Sequence, residues 1–203
     1  MEKISILIGL SGSEQSKYAC EIAWSIAAKC GARVTAEHVI DTKTIWDLLR
    51  NEKPGLIGSG PYISTYEAIV DSMGSLANKL LLKYDSLVSA KEIKSESLVS
   101  EGNPVQVLSH SAVDHDFVVI GHQPRVESEK QNRSKFVRYA VAEGLAHECP
   151  RPLLVVQGSV TNWNSMTVLV SVDHLNFSYI SACLSLAEAL QLKPVIVAIG
   201  SGS

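Results

Sequence analysis

The chain has 203 residues, of which 46% are hydrophobic and 19% are charged, and its formal net charge is -3 at pH 7. These values are typical of an ordinary globular protein with ample apolar material for a core, and they do not indicate nucleic acid as a partner. The apolar runs are shorter than the roughly 20 residues that cross a bilayer, and the N-terminus lacks the basic start and cleavage site of a secretion signal, so we predict a cytoplasmic protein without a membrane segment.

Residues 4–40 predict one right-handed βαβ unit. A run rich in β-branched residues at 4–10 predicts the first strand, and either Ser11 or Ser13 is placed to cap the helix that follows. Gly31 is expected to end this helix, and residues 33–40 predict the second strand. The four cysteines of the chain include no CxxC pair, which favours buried reduced thiols over disulfides or a metal site.

Residues 41–90 contain an irregular segment followed by a long predicted helix. Residues 41–64 contain scattered prolines and glycines and predict a loop with one short helical turn at 45–50. Residues 65–90 predict a long amphipathic helix, because apolar residues recur there at spacings of three and four. These apolar residues are Tyr66, Ile69, Val70, Met73, Leu76, Ala77, Leu80, Leu81 and Tyr84.

A third strand is predicted at 93–100, where apolar and polar residues alternate. Asn103 and Pro104 are the expected cap and first residue of the helix that follows. Its expected inner residues are Val105, Val107, Leu108, Ala112 and Val113.

The fourth strand is the most informative one. Residues 117–121 form a continuous apolar run ending in glycine, which predicts a buried parallel strand followed by a turn that faces a ligand. A polar loop of about fourteen residues follows, then a predicted helix at 136–147 and a predicted edge strand at 153–156.

The opening unit recurs near the end of the chain. Shifted by 162 residues without a gap, Ile6 aligns with Val168 and Val34 aligns with Ile196. We therefore predict a first domain at 1–157, a linker at 158–165 and a partial second repeat of β-α-β type at 166–203. The helix of this repeat is expected at 178–192.

Three segments together resemble the universal stress protein family, and the resemblance covers residues 3–157. They read ILIGLSGSEQS, EGNPVQVLSHSAVDHDFVVIGHQPR and AVAEGLAHECPRPLLVV. The resemblance implies an α/β fold with a doubly wound, five-stranded parallel sheet in the order 3-2-1-4-5, like that of the adenine nucleotide alpha hydrolases. The expected core residues are Ile6, Ile8, Ile22, Ile26, Val34, Ile69, Val70, Leu80, Val118, Val119, Ile120, Val141, Leu154 and Val155.

ATP-binding members of this family hold phosphates in the loop after the fourth strand. Their loop has one glycine, a second glycine three residues on, and a later glycine followed by serine or threonine. In this chain the first position is Gly121, the second is Pro124 and the final pair is Tyr139 and Ala140. Proline has no N–H, and alanine has no hydroxyl, so the resemblance implies a degenerate phosphate cradle.

Other positions that correspond to the family's nucleotide site surround the same cleft. Asp173 stands where many members have an acidic residue facing adenine, whereas the first repeat has Ser11 there. The full set of nucleotide-site equivalents is Ser11, Val39, Ile120, Gly121, Pro124, Arg125, Ala140 and Asp173. The loop cations Arg125, Lys130, Arg133, Lys135 and Arg138 could attract a phosphate through side chains, although a solvated loop is the favoured interpretation.

Histidines provide the other candidate chemistry. His122 is expected at the mouth of the cleft, but no nucleophile accompanies it in the sequence. His110 and Asp114 share a helix face at a spacing of four, where a solvated helix end is favoured over a metal or acid–base site. We therefore predict no catalytic residues and no metal site.

Three functions follow from the sequence. The leading hypothesis is a non-enzymatic stress-response protein that acts through a protein interface and needs no cofactor. The second is a nucleotide-binding switch that holds ATP with magnesium by substituted contacts and hydrolyses it slowly. The third is a sensor of another small polar ligand in the same cleft. The resemblance also implies a homodimer that pairs the edge strand 153–156, with a protein partner that the sequence does not name.

Overall fold

The computed structural model describes residues 4–50, 58–122, 141–159, 163–172 and 175–200. The chain divides into two compact units, Met1–Gly158 and Ser159–Ser203. Each unit contains its own parallel sheet. No helix within the described part of the chain is long and apolar enough to span a membrane.

The first unit contains the predicted five-stranded parallel sheet. The strand order is β3-β2-β1-β4-β5, which confirms the predicted order. Three strands, β2, β4 and β5, have the predicted bounds. The strands are β1 (Ser5–Gly9), β2 (Arg33–Ile40), β3 (Ser95–Glu101), β4 (Phe117–Gly121) and β5 (Leu153–Val156).

Five helices are described beside this sheet, and capping residues account for several of their ends. The Ser13 side chain accepts a hydrogen bond from the Ser16 N–H at the start of the first helix, and Gly31, with φ 64°, ends it. The Asn103 side chain caps the fourth helix, as predicted. The helices are α1 (Glu14–Cys30), α2 (Thr42–Arg50), α3 (Gly60–Ser89), α4 (Pro104–Ser111) and α5 (Val141–Glu148).

The segment predicted as a loop at 41–64 is largely helical where it is described. The Asp41 carboxylate accepts bonds from the N–H of Thr44 at 2.9 Å and from its hydroxyl at 2.6 Å, which stabilises the first turn of α2. Helix α3 begins at Gly60, five residues before the predicted start, and has Pro61 in its first turn. Proline there starts the helix, because the missing N–H would have no intrahelical partner.

The core is centred on β1, β2 and β4. Eight of the fourteen expected core residues are buried, namely Ile6, Ile8, Ile22, Ile26, Val34, Val118, Val119 and Ile120. Five are only half-buried, namely Ile69, Val70, Leu80, Val141 and Leu154. Val155 is 39% exposed, so its assignment to the core was wrong: β5 lies at the edge of the sheet.

The inner face of α3 was also predicted incorrectly in part. Only Ala77, Tyr84 and Val88 of this helix are buried, while Met73 and Leu76 are 44% and 62% exposed. The buried residues all lie in the C-terminal half of the 30-residue helix, so the regular apolar spacing continues beyond the part that packs on the sheet. Val113, predicted as an inner residue, is exposed because it lies in a 3₁₀ turn after α4.

The second unit consists of β6 (Ser165–Ser171), α6 (Phe177–Ala189) and β7 (Lys193–Ile199). The two strands are parallel, and Val168 pairs with Ile196 as Ile6 pairs with Val34 in the first unit. The register of this pair therefore follows the alignment found in the sequence. Helix α6 ends before the predicted residue 192, and Gln191 beyond it has a left-handed φ of 56°.

Candidate functional site

A cleft of about 310 Å³ lies at the carboxyl ends of β1, β2 and β4. Ligands of open parallel sheets bind at this edge. Its described lining residues are Gly9, Leu10, Ser11, Glu37, His38, Val39, Pro104, Leu108, Ile120, Gly121, His122, Val141 and Ala142. Four of the eight predicted nucleotide-site residues thus come together, namely Ser11, Val39, Ile120 and Gly121. Pro124, Arg125, Ala140 and Asp173 lie outside the described residues.

The serine turn after β1 is closed by its own hydrogen bonds. The Ser11 N–H donates to Oγ of Ser16 at 2.8 Å, and the hydroxyl oxygens of Ser11 and Ser13 are 2.9 Å apart. Ser16 is buried, and its own N–H donates to the Ser13 side chain. The Ser11 N–H is therefore engaged within the turn instead of being available to a phosphate.

Gly121 has a packing role that the resemblance did not suggest. A Cβ built at this position would lie 2.4 Å from the backbone carbonyl carbon of Gln15 and 2.5 Å from the backbone nitrogen of Ser16. The end of β4 therefore approaches the first turn of α1 so closely that only glycine fits. This contact by itself requires glycine, whether or not a phosphate binds nearby.

Glu37 is the site residue that the sequence interpretation missed. This residue is only 2% exposed, although it carries a carboxylate on the interior strand β2. Oγ of Ser100 donates to Oε1 at 2.6 Å, while Oε2 is buried and has no hydrogen-bond partner within the described part of the chain. The sequence did contain a signal, because the predicted strand RVTAEHVI carries a glutamate. Burying an unpaired polar group is costly and unusual, so a glutamate within a strand indicates a candidate site residue.

Two histidines line the same cleft. Nδ1 of His38 lies 2.9 Å from the carbonyl oxygen of Leu10, and a carbonyl only accepts, so this nitrogen carries a proton. His122 lies at the cleft as predicted, and its backbone N–H donates to the carbonyl of Val156 at 2.8 Å. The structure thus places His122 beside the edge strand of the sheet.

A second hollow, of about 570 Å³, lies at the opposite edge, where the strands begin. Asp116 accepts bonds there from the N–H and the hydroxyl of Ser5, at 2.7 and 3.1 Å. Arg151 donates to the carbonyl of Val113 at 2.7 Å, and Nδ1 of His115 lies 2.8 Å from the carbonyl of Ser111. The Asp116 bonds join the start of β4 to the start of β1. The Arg151 bond joins the chain just before β5 to the 3₁₀ turn after α4. Among the described residues, no three His, Cys, Asp or Glu side chains are grouped to hold a metal ion.

Comparisons with known proteins identify the fold. No protein-family profile and no curated protein matches this sequence. The universal stress protein UspA from Lactobacillus plantarum superposes with a TM-score of 0.58 at 16% identity, over 77% of this chain and 99% of that chain. A universal stress protein from Archaeoglobus fulgidus gives 0.57 at 15% identity, over 98% of this chain and 77% of that chain.

A protein of the universal stress protein family from Burkholderia pseudomallei gives 0.51 at 18% identity, over 76% of this chain and 96% of that chain. All three share an α/β fold with this chain. At these identities the likeness is one of fold. The chain described here therefore has the fold of the universal stress proteins.

Proposed function

We propose that this protein is a universal stress protein-like, non-catalytic stress-response protein of the cytoplasm, and that its cleft binds a small ligand without the phosphate cradle of the ATP-binding members. The fold supports the general class. The observation that carries the proposal is Glu37, a buried carboxylate in a cleft whose described lining includes no lysine or arginine. A negative charge in that position disfavours an anionic ligand close by, because few water molecules screen it.

We propose that such a protein acts through contacts with other proteins. Strand β5 lies at the edge of the sheet, where outer backbone groups are available for pairing with another strand. Val155 on this strand is exposed and apolar, so a partner strand would also cover apolar surface. We accordingly assign to Leu153–Val156 the homodimer contact that the family resemblance implies, and to other surfaces a protein partner.

A nucleotide switch is the second candidate. It is favoured by the position of Ser11, Val39, Ile120 and Gly121, which line one cleft as the resemblance implies. In this alternative ATP with magnesium occupies the cleft, side chains such as Arg125 contact the phosphates, and hydrolysis is slow. The engaged N–H of Ser11 and the Glu37 carboxylate count against it.

Native mass spectrometry of the purified full chain tests the proposal. We expect a co-purified small molecule that carries no triphosphate, released when the protein is denatured. Release of stoichiometric ATP would favour the switch instead. A companion variant restores the family's loop residues with Pro124→Gly, Tyr139→Gly and Ala140→Ser, and it should gain ATP affinity that the natural chain lacks.

A further inference from the structure

The Glu37 carboxylate has one satisfied oxygen and one unsatisfied oxygen. Strand β2 holds the residue between Gly9 on β1 and Leu98 on β3. Its Oε1 atom accepts from Ser100 on β3, whereas Oε2 has no partner among the described residues. Because the neighbour on β1 is glycine, β1 places no side chain beside the carboxylate at this level.

The hydrogen bond that Oε2 lacks is needed in both protonation states of the carboxyl group. Oγ of Ser100 donates to Oε1 at 2.6 Å, so this oxygen is satisfied. An ionised carboxylate only accepts, so Oε2 requires a donor. If the group were protonated, Oε2–H would require an acceptor, and the described residues provide none. The described residues thus leave this atom unsatisfied whether or not the group is protonated.

The surroundings define which donor would suit. Leu108, Ile120 and Val141 give the cleft apolar walls, and the described lining contains no lysine or arginine that could neutralise Glu37. A cationic donor would satisfy Oε2 and cancel the buried charge, and the strength of a charge-assisted bond is greatest where water is excluded. An apolar body attached to that cation would contact the walls.

We propose that Glu37 is the recognition group of the cleft and that the ligand carries an ammonium or amidinium group on a small apolar body, with its N–H donating to Oε2. This inference rests on the proposed ligand-binding function and adds the chemical class of the ligand. It assigns a specificity role to a residue that belongs to neither the phosphate cradle nor the other predicted nucleotide contacts.

The test uses benzamidine as the probe, titrated into the full chain and followed by calorimetry and by backbone amide shifts. Benzoate and benzyl alcohol are matched probes with the same ring and a negative or neutral polar group. We expect benzamidine to bind at least tenfold more tightly than either, with the largest shifts at Gly9, Glu37 and Ile120. Glu37→Gln should weaken benzamidine binding by roughly tenfold or more, because a hydrogen bond to a charge becomes a neutral one.

Glu96→Gln is the matched control. Glu96 is an exposed carboxylate on the neighbouring strand β3, where its Oε1 accepts from the Thr35 hydroxyl at 2.9 Å, and this variant should bind benzamidine within twofold of the natural chain. Glu37→Leu provides a second measurement: removing a buried carboxyl oxygen that lacks a partner among the described residues should raise the melting temperature of the unliganded protein.

The proposal is overturned if benzamidine does not bind at millimolar concentration, if benzoate binds as well, or if Glu37→Gln leaves affinity unchanged. It is also overturned if both Glu37 variants unfold, since the fold itself would then require the carboxylate. A co-purified ligand without any cationic nitrogen would refute the assignment of Glu37 while leaving the ligand-binding function intact. If native mass spectrometry shows an empty cleft but benzamidine binds tightly, the assignment of Glu37 is supported and the proposed co-purified ligand is refuted.

Discussion

Replacing Gly121 by alanine tests whether this glycine is required for packing or for a ligand. The added Cβ would lie 2.4 Å from the carbonyl carbon of Gln15 and 2.5 Å from the nitrogen of Ser16, and both are backbone atoms of the first turn of α1. Backbone atoms cannot change rotamer to relieve such contacts, so β4 and α1 must separate. Overpacking of this kind costs about 1–3 kcal/mol.

The chain offers two matched controls for this change. A Cβ at Gly9 would lie 3.2 Å from Cδ1 of Leu108, a side-chain atom that can move, so Gly9→Ala should cost less than Gly121→Ala. A Cβ at Gly12 would meet nothing within 4 Å, so Gly12→Ala should change the free energy of unfolding by less than about 0.5 kcal/mol.

Urea unfolding followed by circular dichroism, without added ligand, measures all three variants. The expected loss in the free energy of unfolding for Gly121→Ala is about 1–3 kcal/mol. For a unit of this size, the same loss would lower the melting temperature by about 2–12 °C. The packing account fails if Gly121→Ala is as stable as Gly12→Ala while ligand binding is lost. That pattern would mean that the glycine is required for approach of a ligand.

Further predictions concern a thiol, a helix cap and the sheet edge. Burial raises the pKa of the Cys20 thiol to about 12, so the thiolate is scarce below pH 9. Iodoacetamide should therefore label Cys20 only after unfolding. Rapid labelling of the native protein, detected by mass spectrometry, would contradict the buried position. Asn103→Ala removes the side-chain bonds to the N–H groups of Val105 and Gln106 and should cost about 1 kcal/mol in urea unfolding, whereas an unchanged midpoint would argue against the cap. Val155→Lys places a charge on the edge strand and should convert the proposed dimer to a monomer in light scattering, and a natural chain that is already monomeric would refute the dimer.

The strands were the most predictable part of the fold. The runs at β4 and β5 are short, apolar and bounded by turn residues, and the predicted bounds of β2, β4 and β5 agree with the structure. The order of the strands was known only through the family resemblance, because no local pattern specifies which strands become neighbours. The register of β6 and β7 followed from the internal alignment.

The errors have identifiable physical causes. The start of α3 was missed because Pro61 was interpreted as a helix breaker, although proline is well suited to the first turn. The apolar spacing of α3 was overinterpreted, since periodicity alone does not show where the sheet ends beneath a long helix. The start of α3 and the part of it that is buried depend on tertiary packing, which local sequence does not contain.

The candidate site was only partly predictable. Ser11, Val39, Ile120 and Gly121 were placed at the cleft by resemblance, and they line it. Glu37 was not among the predicted site residues, because the strand pattern does not show which face of the sheet a polar residue enters, and its burial is evident only from the structure. The packing reason for Gly121 depends on its distance from α1, which no sequence pattern reports.

Calorimetric titration of the full natural chain with ATP and magnesium tests the central claim most directly. The N–H that Pro124 lacks, the close backbone approach that the Cβ of Tyr139 disfavours and the hydroxyl that Ala140 lacks should each remove on the order of 1 kcal/mol. Together these losses lower the affinity about a hundredfold relative to an intact cradle. The account predicts no saturable binding at micromolar ATP. A dissociation constant in the micromolar range would contradict it and would establish the nucleotide switch in its place.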